Sequence, residues 1–179
     1  MRKLKNEELG RKSIEELQNE AKNPLVVVLD NVRSMNNIGS VFRTADAFLI
    51  EKIILCGITA TPPHRDIQKT ALGATESVEW HYAESTIMAV KQLKDLNYKV
   101  YAIEQAEGAV YLQNFVPLKS EKYAFVFGNE VEGVDADCVK LCNGCIEIPQ
   151  FGHKHSLNIS VSAGVVLWDM VSKLCFEKI

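Results

Sequence analysis

Apolar runs of strand length recur along this chain, and helical patterns separate several of them. The strand-length runs cover residues 25–29, 53–58, 99–103, 123–127 and 145–148, and the helical patterns cover 38–49, 85–96, 134–141 and 157–175. The strand runs show no clear alternation of apolar and polar positions, which is typical of strands buried on both faces. The pattern predicts an α/β fold with a mainly parallel sheet and helices on both of its faces.

A separate short pattern precedes the first strand. Residues Ser13 to Glu16 have the spacing of a capping box, and Ile14 and Leu17 follow on one helical face, so a helix is expected up to about Lys22. The Asn23-Pro24 step ends it. We expect a helical extension in residues 1–23 and one compact domain in residues 24–179.

Composition narrows the class of protein. The 179 residues are 47% hydrophobic with a net charge of −3, which argues against a general polyanion binder but allows a local basic patch. The N-terminal residues lack the apolar core of a secretory signal, and no apolar run approaches the roughly 18 residues of a membrane span. Five cysteines in such a chain are expected to be reduced thiols, so we expect a cytoplasmic protein without a membrane segment.

Ligands of parallel α/β sheets bind beyond the carboxyl ends of the strands. The first segment there reads "LDNVRSMNNIGSVFRTADAF". Asn37 is expected to be a helix N-cap, and Gly39 would let a ligand or another backbone come close. Arg43 leaves the apolar stripe of this helix. It is either a surface arginine paired with a nearby acid such as Asp46 or Glu51, or a cleft residue whose guanidinium binds a phosphate.

The second segment, "FVFGNEVEGV", runs from a strand into a glycine-rich turn. Glu130 and Glu132 are favourable near a helix N-terminus, so an ordinary strand-to-helix turn is one interpretation. The turn lacks both G-x-G-x-x-G and the P-loop lysine, and two carboxylates would repel an anion. The other interpretation is a loop for a ligand that has hydroxyl groups or positive charge.

The third segment is "IEIPQFGHKHSLNIS", in which a strand ends at Ile148-Pro149 and a polar loop follows. Ser156 is expected to cap a helix that is apolar nearly all round, and Asn158 would be a polar residue of its first turn. A helix of this kind is either central to its domain or part of a subunit interface.

Cys138, Cys142 and Cys145 have the C-x3-C-x2-C spacing of the iron–sulfur site in radical S-adenosylmethionine enzymes. Such sites need a large barrel around them, and a three-residue match without that context is weak. A zinc site formed with His153 would need four ligands in matched geometry. We expect no metal, and a metal or iron–sulfur protein remains an alternative.

The three segments together resemble the SpoU/TrmH family of SPOUT methyltransferases over residues 25–171. Each motif is weak alone, but three in order at strand ends are a strong indication. The matching positions are Asn37-Ile38-Gly39 with Arg43-Thr44-Ala45, then Gly128, Glu130 and Gly133, then Ile148-Pro149, Gly152 and Ser156-Leu157-Asn158.

The resemblance implies a C-terminal deep trefoil knot, which is an exception to the rule that chains do not knot. It also implies a homodimer that binds S-adenosylmethionine and methylates a ribose 2′-hydroxyl of tRNA or rRNA. By position, the cofactor would contact Gly128, Ile148 and Leu157, chiefly through backbone groups, and the strand end near Ile103-Glu104 would cover it.

The resemblance also implies catalytic roles. Arg43 matches the catalytic arginine of the family, and because its pKa lies above about 12 we expect it to anchor a phosphate and align the hydroxyl rather than act as a free base. Asn37, Glu130, Ser156 and Asn158 would hold Arg43 and the ribose in line with the methyl group.

Two points about RNA remain open in the sequence. In the loop "TATPPHRDIQKTALGA", His64, Arg65 and Lys69 are either phosphate contacts or residues of a solvated loop. A knotted RNA-binding protein without catalysis and a base methyltransferase are the remaining alternatives. The complete set of five catalytic candidates argues against a protein without catalysis, and the Arg43 pattern favours ribose over base chemistry.

Overall fold

The computed structural model describes residues 1–10 and 12–175, so the last four residues of the predicted domain lie outside the described part. The predicted parallel sheet is confirmed, and all of its strand pairings are parallel. The strand order is β3-β2-β1-β6-β4-β7-β5. The strands are β1 Asn23–Asp30, β2 Ile50–Cys56, β3 Glu79–Ala83, β4 Tyr98–Ile103, β5 Val110–Tyr111, β6 Lys122–Phe127 and β7 Gly144–Glu147.

Helices cover both faces of the sheet, as predicted. The helices are α1 Ile14–Asn19, α2 Met35–Ala47, α3 Arg65–Ala71, α4 Ala74–Ser77, α5 Thr86–Asp95, α6 Ala136–Leu141 and α7 Ile159–Cys175. Side chains of α2, α3, α4 and α7 form one core with the sheet, and those of α5 and α6 form a second core on the other face. Among the described residues, no helix combines the length and apolar character needed to cross a membrane.

The pattern of β1 explains why the sheet was predictable. Its residues from Leu25 to Asp30 are all buried, because helices cover both sides of this strand. A strand covered on both faces has no polar side to alternate with, so it reads as a continuous apolar run.

Several elements differ from the sequence prediction. The segment predicted as a loop with phosphate-binding candidates contains α3 and ends at Ala74, the first residue of α4, so Arg65 and Lys69 lie on α3. The edge strands β3 and β5 were not predicted, because β3 is largely exposed and β5 has only two residues. The capping box at Ser13 is confirmed, although α1 ends at Asn19 rather than near Lys22.

Gly39 allows helices α2 and α3 to pack closely. A Cβ atom at this position would overlap the Thr70 hydroxyl and the Ile67 carbonyl oxygen. The close approach expected at Gly39 is therefore made by another backbone.

Asp30 joins three elements on the second face of the sheet. Its carboxylate accepts hydrogen bonds from the Thr86 hydroxyl (2.5 Å), the Asn31 side-chain amide (2.8 Å) and the Asp135 backbone N–H (2.9 Å). Asp30 is 1% exposed, so water cannot replace these bonds. The end of β1 is thus tied to the start of α5 and to the turn before α6.

Replacing Asp30 with asparagine should lower the free energy of unfolding by about 1–3 kcal/mol, because an amide group would face donors that need an acceptor. Urea unfolding monitored by circular dichroism measures the change. Asp95→Asn, at the exposed end of α5, is the matched control and should leave the midpoint unchanged. Equal midpoints for the two variants would contradict this role of Asp30.

Candidate functional site

A cleft of about 510 Å³ opens beyond the carboxyl ends of β4, β6 and β7. This is where a parallel sheet is expected to bind its ligand, and the volume suits a small molecule. Three loops form its walls. The lining residues are 103–105, 127–133, 147, 148, 150, 155–159 and 162.

The four residues expected at the cofactor all line this cleft: Ile103, Gly128, Ile148 and Leu157. Ile103 ends β4, and Gly128 and Ile148 directly follow β6 and β7. Leu157 lies two residues before α7. The predicted set therefore comes together at one place, although its members come from three separate segments of the chain.

The glycines of the second motif are needed by the loop itself. A Cβ at Gly128 would overlap the backbone of Gly133 and Val134. The backbones of Asn129 and Gly133 exchange hydrogen bonds of 3.1 and 3.2 Å across the same turn. Gly133 also has a φ of +72°, which side-chain-bearing residues rarely adopt. The turn thus forms one tightly folded wall of the cleft.

Side chains from three segments form a hydrogen-bonded network at the rim. Asn158 donates from Nδ2 to Asn37 Oδ1, and Asn37 donates from Nδ2 to Glu130 Oε1, both at 3.1 Å. The Glu130 carboxylate also accepts backbone N–H bonds of 3.3 Å from Arg33 and Ser34. Burial alone would raise the pKa of Glu130, but hydrogen bonds from its own backbone N–H, from the Arg33 and Ser34 backbones and from the Asn37 amide outweigh it and lower the pKa below its ordinary value.

Two capping predictions were wrong. Ser34, not Asn37, is the N-cap of α2, and its hydroxyl accepts the Asn37 N–H at 3.3 Å. Helix α7 begins at Ile159, so Ser156 does not cap it. Asn158 caps it instead, since its Oδ1 accepts the backbone N–H of Ser160 at 2.9 Å. Ser156 lines the cleft, and Asn158 both caps α7 and joins the network.

Arg43 is exposed on α2 and is not among the residues that line the cleft. It is not paired with either acid considered above. The Asp46 carboxylate accepts the Ser77 hydroxyl at 2.5 Å, and Glu51 accepts the Tyr98 hydroxyl at 2.6 Å. The single chain thus brings four of the five catalytic candidates to the cleft or its rim and leaves Arg43 apart.

Of the two residues that follow β4, Gln105 was not predicted, and Glu104 was named only as part of the strand end that covers the cofactor. Glu104 and Gln105 line the cleft directly after β4, and both contact other loops. Their place beyond a strand end was the available signal, but no motif marked them.

The cleft is acidic. Four glutamates line it, Glu104, Glu130, Glu132 and Glu147, and no lysine or arginine of the described chain does. A lining of this charge favours a ligand with positive charge and disfavours a polyphosphate.

The three cysteines lie away from the cleft, in the second core. Cys138 is buried in α6, Cys142 directly follows that helix, and Cys145 lies in β7. A hydrogen bond with the Cys142 thiol and burial together raise the pKa of the Cys138 thiol. Within residues 1–10 and 12–175, no group of three or more His, Cys, Asp or Glu side chains could hold a metal ion. The metal alternative gains no support.

Comparison with known sequences agrees with the family resemblance found in the three motifs. The sequence model of the SpoU rRNA Methylase family matches residues 24–168. The Neisseria meningitidis 23S rRNA (guanosine-2′-O-)-methyltransferase RlmB is 30% identical over 152 residues, which are 84% of this chain and 59% of that protein. A putative TrmH family tRNA/rRNA methyltransferase of Staphylococcus aureus is 30% identical over 148 residues, 83% of this chain and 58% of that protein. The chain thus spans about three fifths of these relatives.

Solved structures share the fold. The AdoMet-bound rRNA methyltransferase from Sinorhizobium meliloti superposes with a TM-score of 0.80 at 25% identity, covering 92% of this chain and 62% of that one. The A. aeolicus TrmH/SpoU tRNA modifying enzyme gives a TM-score of 0.79 at 21% identity, covering 89% and 80%. The second likeness is evidence for the fold alone.

Proposed function

This chain belongs to the SpoU rRNA methylase family, and on that premise we propose that it transfers a methyl group from S-adenosylmethionine to a ribose 2′-hydroxyl of tRNA or rRNA. The observation that carries the proposal is the convergence of three separate motifs on one cleft, where Asn158, Asn37 and Glu130 are hydrogen-bonded in series. A 2′-O-methyltransferase among the relatives and an AdoMet-bound neighbour of the same fold support it.

The charged residues that line the cleft fit the charge of the cofactor. S-adenosylmethionine carries a sulfonium and an ammonium group, and the glutamates of the cleft offer negative charge to such a ligand. The backbone at Gly128, Ile148 and Leu157 would hold the cofactor, with Ile103 beside it. When bound, the cofactor supplies a methyl group already activated for transfer.

The residues around the cleft must also position the ribose hydroxyl, which is a weak nucleophile. In this proposal Arg43 binds the substrate phosphate with its forked guanidinium and aligns the ribose hydroxyl, whose proton leaves to the phosphate or to water. Asn37, Glu130, Ser156 and Asn158 keep the hydroxyl in line with the methyl group, so positioning supplies most of the rate.

We also propose that the enzyme is a cytoplasmic homodimer with a knotted C-terminal part, in which Arg43 of one copy serves the cleft of the other. Two features support the dimer. Arg43 does not line the cleft of its own chain, and α7 exposes Val161 and Val165, which are 51% and 38% accessible. Residues 1–23 would be an extension of the methyltransferase domain.

Mapping 2′-O-methyl groups across total tRNA and rRNA tests the function. Cells that lack the protein should lose methylation at one or a few riboses, and expression of the wild-type chain should restore it. Unchanged maps in both RNA classes would contradict ribose methylation as the activity.

A further inference from the structure

The dipeptide Glu104-Gln105 holds the other two loops of the cleft. Glu104 Oε2 accepts the backbone N–H of Val134, in the loop after β6, at 3.1 Å. Gln105 Nε2 donates to the carbonyl oxygen of His155, in the loop after β7, at 2.7 Å. The end of β4 is therefore the point at which both walls of the cleft are joined.

The Glu104 carboxylate is fixed in position. Its second oxygen, Oε1, accepts the backbone N–H of Gln105 at 3.0 Å, so both oxygens have a main-chain donor. Gly133 leaves the space this requires, because a Cβ there would overlap Oε2. A carboxylate oxygen has more than one acceptor position, and Glu104 lines the cleft, so acceptor capacity remains for a bound ligand.

The other three glutamates of the cleft are less suited to act on a ligand. Glu147 is half-buried, but no hydrogen bond within the described part of the chain fixes its carboxylate. Glu130 is engaged by Asn37 and by two backbone N–H groups at the rim. Glu132 is exposed, and charges on exposed side chains are screened by water and salt. A half-buried carboxylate that is already held in place acts more strongly, because it does not have to reorient when charge is placed near it.

We propose that Glu104 is a specificity residue that makes this cleft prefer the cationic methyl donor over its neutral product. The inference rests on the proposed function. When the methyl group moves to the ribose oxygen, the sulfur keeps the electron pair of the broken S–CH3 bond and loses its positive charge. Donor and product are otherwise the same molecule, so a fixed negative charge distinguishes them by electrostatics and favours release of the product.

Isothermal titration calorimetry with three ligands tests this. The ligands are S-adenosylmethionine, the neutral product S-adenosylhomocysteine, and sinefungin, which carries an amine in place of the methylated sulfur and is cationic. The wild-type protein should bind both cations more tightly than the product. Glu104→Gln removes the charge and also turns an amide NH2 toward one of the two main-chain donors, so it should lower the affinity for all three ligands. The affinity of each cation relative to that of the product should still fall by about two- to fivefold, the range of a partly exposed charge pair.

Glu107→Gln is the matched control, since Glu107 is exposed on the same loop and does not line the cleft. It should bind all three ligands as the wild type does. If Glu104→Gln lost the same factor of affinity for all three ligands, the role of Glu104 would be only to hold the loops. If it lost no affinity, the charge of Glu104 would not contribute to ligand binding. Either result overturns the proposal while the proposed function stands. Failure of the wild type to bind S-adenosylmethionine would overturn both.

Discussion

Replacing Arg43 with alanine should lower methyl transfer by at least about 100-fold while S-adenosylmethionine binds almost as tightly as before, because the lost group positions the substrate and not the cofactor. Arg43 does not line the cleft, so its removal leaves the cofactor contacts unchanged. Transfer of labelled methyl groups to tRNA and rRNA from cells lacking the protein measures the first quantity. Calorimetry measures the second.

Two further variants test whether the effect depends on the guanidinium group of Arg43. Arg43→Lys keeps the positive charge but loses the planar fork that binds two phosphate oxygens, so it should restore little activity. Lys91→Ala removes an exposed cation from α5, on the opposite face of the sheet, and should be fully active. If Arg43→Ala also lost cofactor affinity, the division of roles would be wrong.

The second large effect is expected at Gly128. A methyl group there would overlap the backbone of Gly133 and Val134, and a backbone cannot move aside as a flexible side chain can. We expect Gly128→Ala to lower the free energy of unfolding by about 1–3 kcal/mol. The displaced loop is one wall of the cleft, so affinity for S-adenosylmethionine should fall by about tenfold or more, equivalent to at least about 1.4 kcal/mol.

Gly152→Ala provides the matched comparison. Gly152 lies in the loop between β7 and α7, and an added Cβ there meets no atom within 4 Å. Its unfolding free energy should stay within about 0.5 kcal/mol of wild type. Denaturant unfolding measures the free energy of unfolding of the two variants, and calorimetry measures their affinity for S-adenosylmethionine. Similar values for both would show that the turn at Gly128 tolerates a side chain.

The central sheet could be predicted because its strands are buried on both faces and read as apolar runs. The same argument explains the elements that were missed. Strand β3 lies at the edge and exposes Glu79 and His81, so it has no continuous apolar run. Helix α3 is seven residues long and turns only Ile67 and Ala71 inward, which is too short a repeat to distinguish it from a loop.

The candidate site, like the fold, could be predicted from the sequence only in part. Its residues could be found because motifs mark the ends of strands, but their pairings could not. Asn37 bonds to residues 93 and 121 positions away, and these contacts depend on the order of strands in the sheet. Glu104 has a role only because β4 lies between β6 and β7, which no local pattern shows.

The series of hydrogen bonds from Asn158 through Asn37 to Glu130 joins the start of α7 to the start of α2. Both ends of the series, Asn158 and Glu130, line the cleft proposed for the cofactor, and its middle residue, Asn37, lies in the first turn of the helix that carries Arg43. Under the proposed function, a ligand in the cleft that strengthens or weakens these bonds would change the free energy of RNA binding at α2. Thermodynamic reciprocity then requires that cofactor and RNA alter each other's affinity by the same factor. Two asparagine side chains would make the binding of methyl donor and acceptor cooperative.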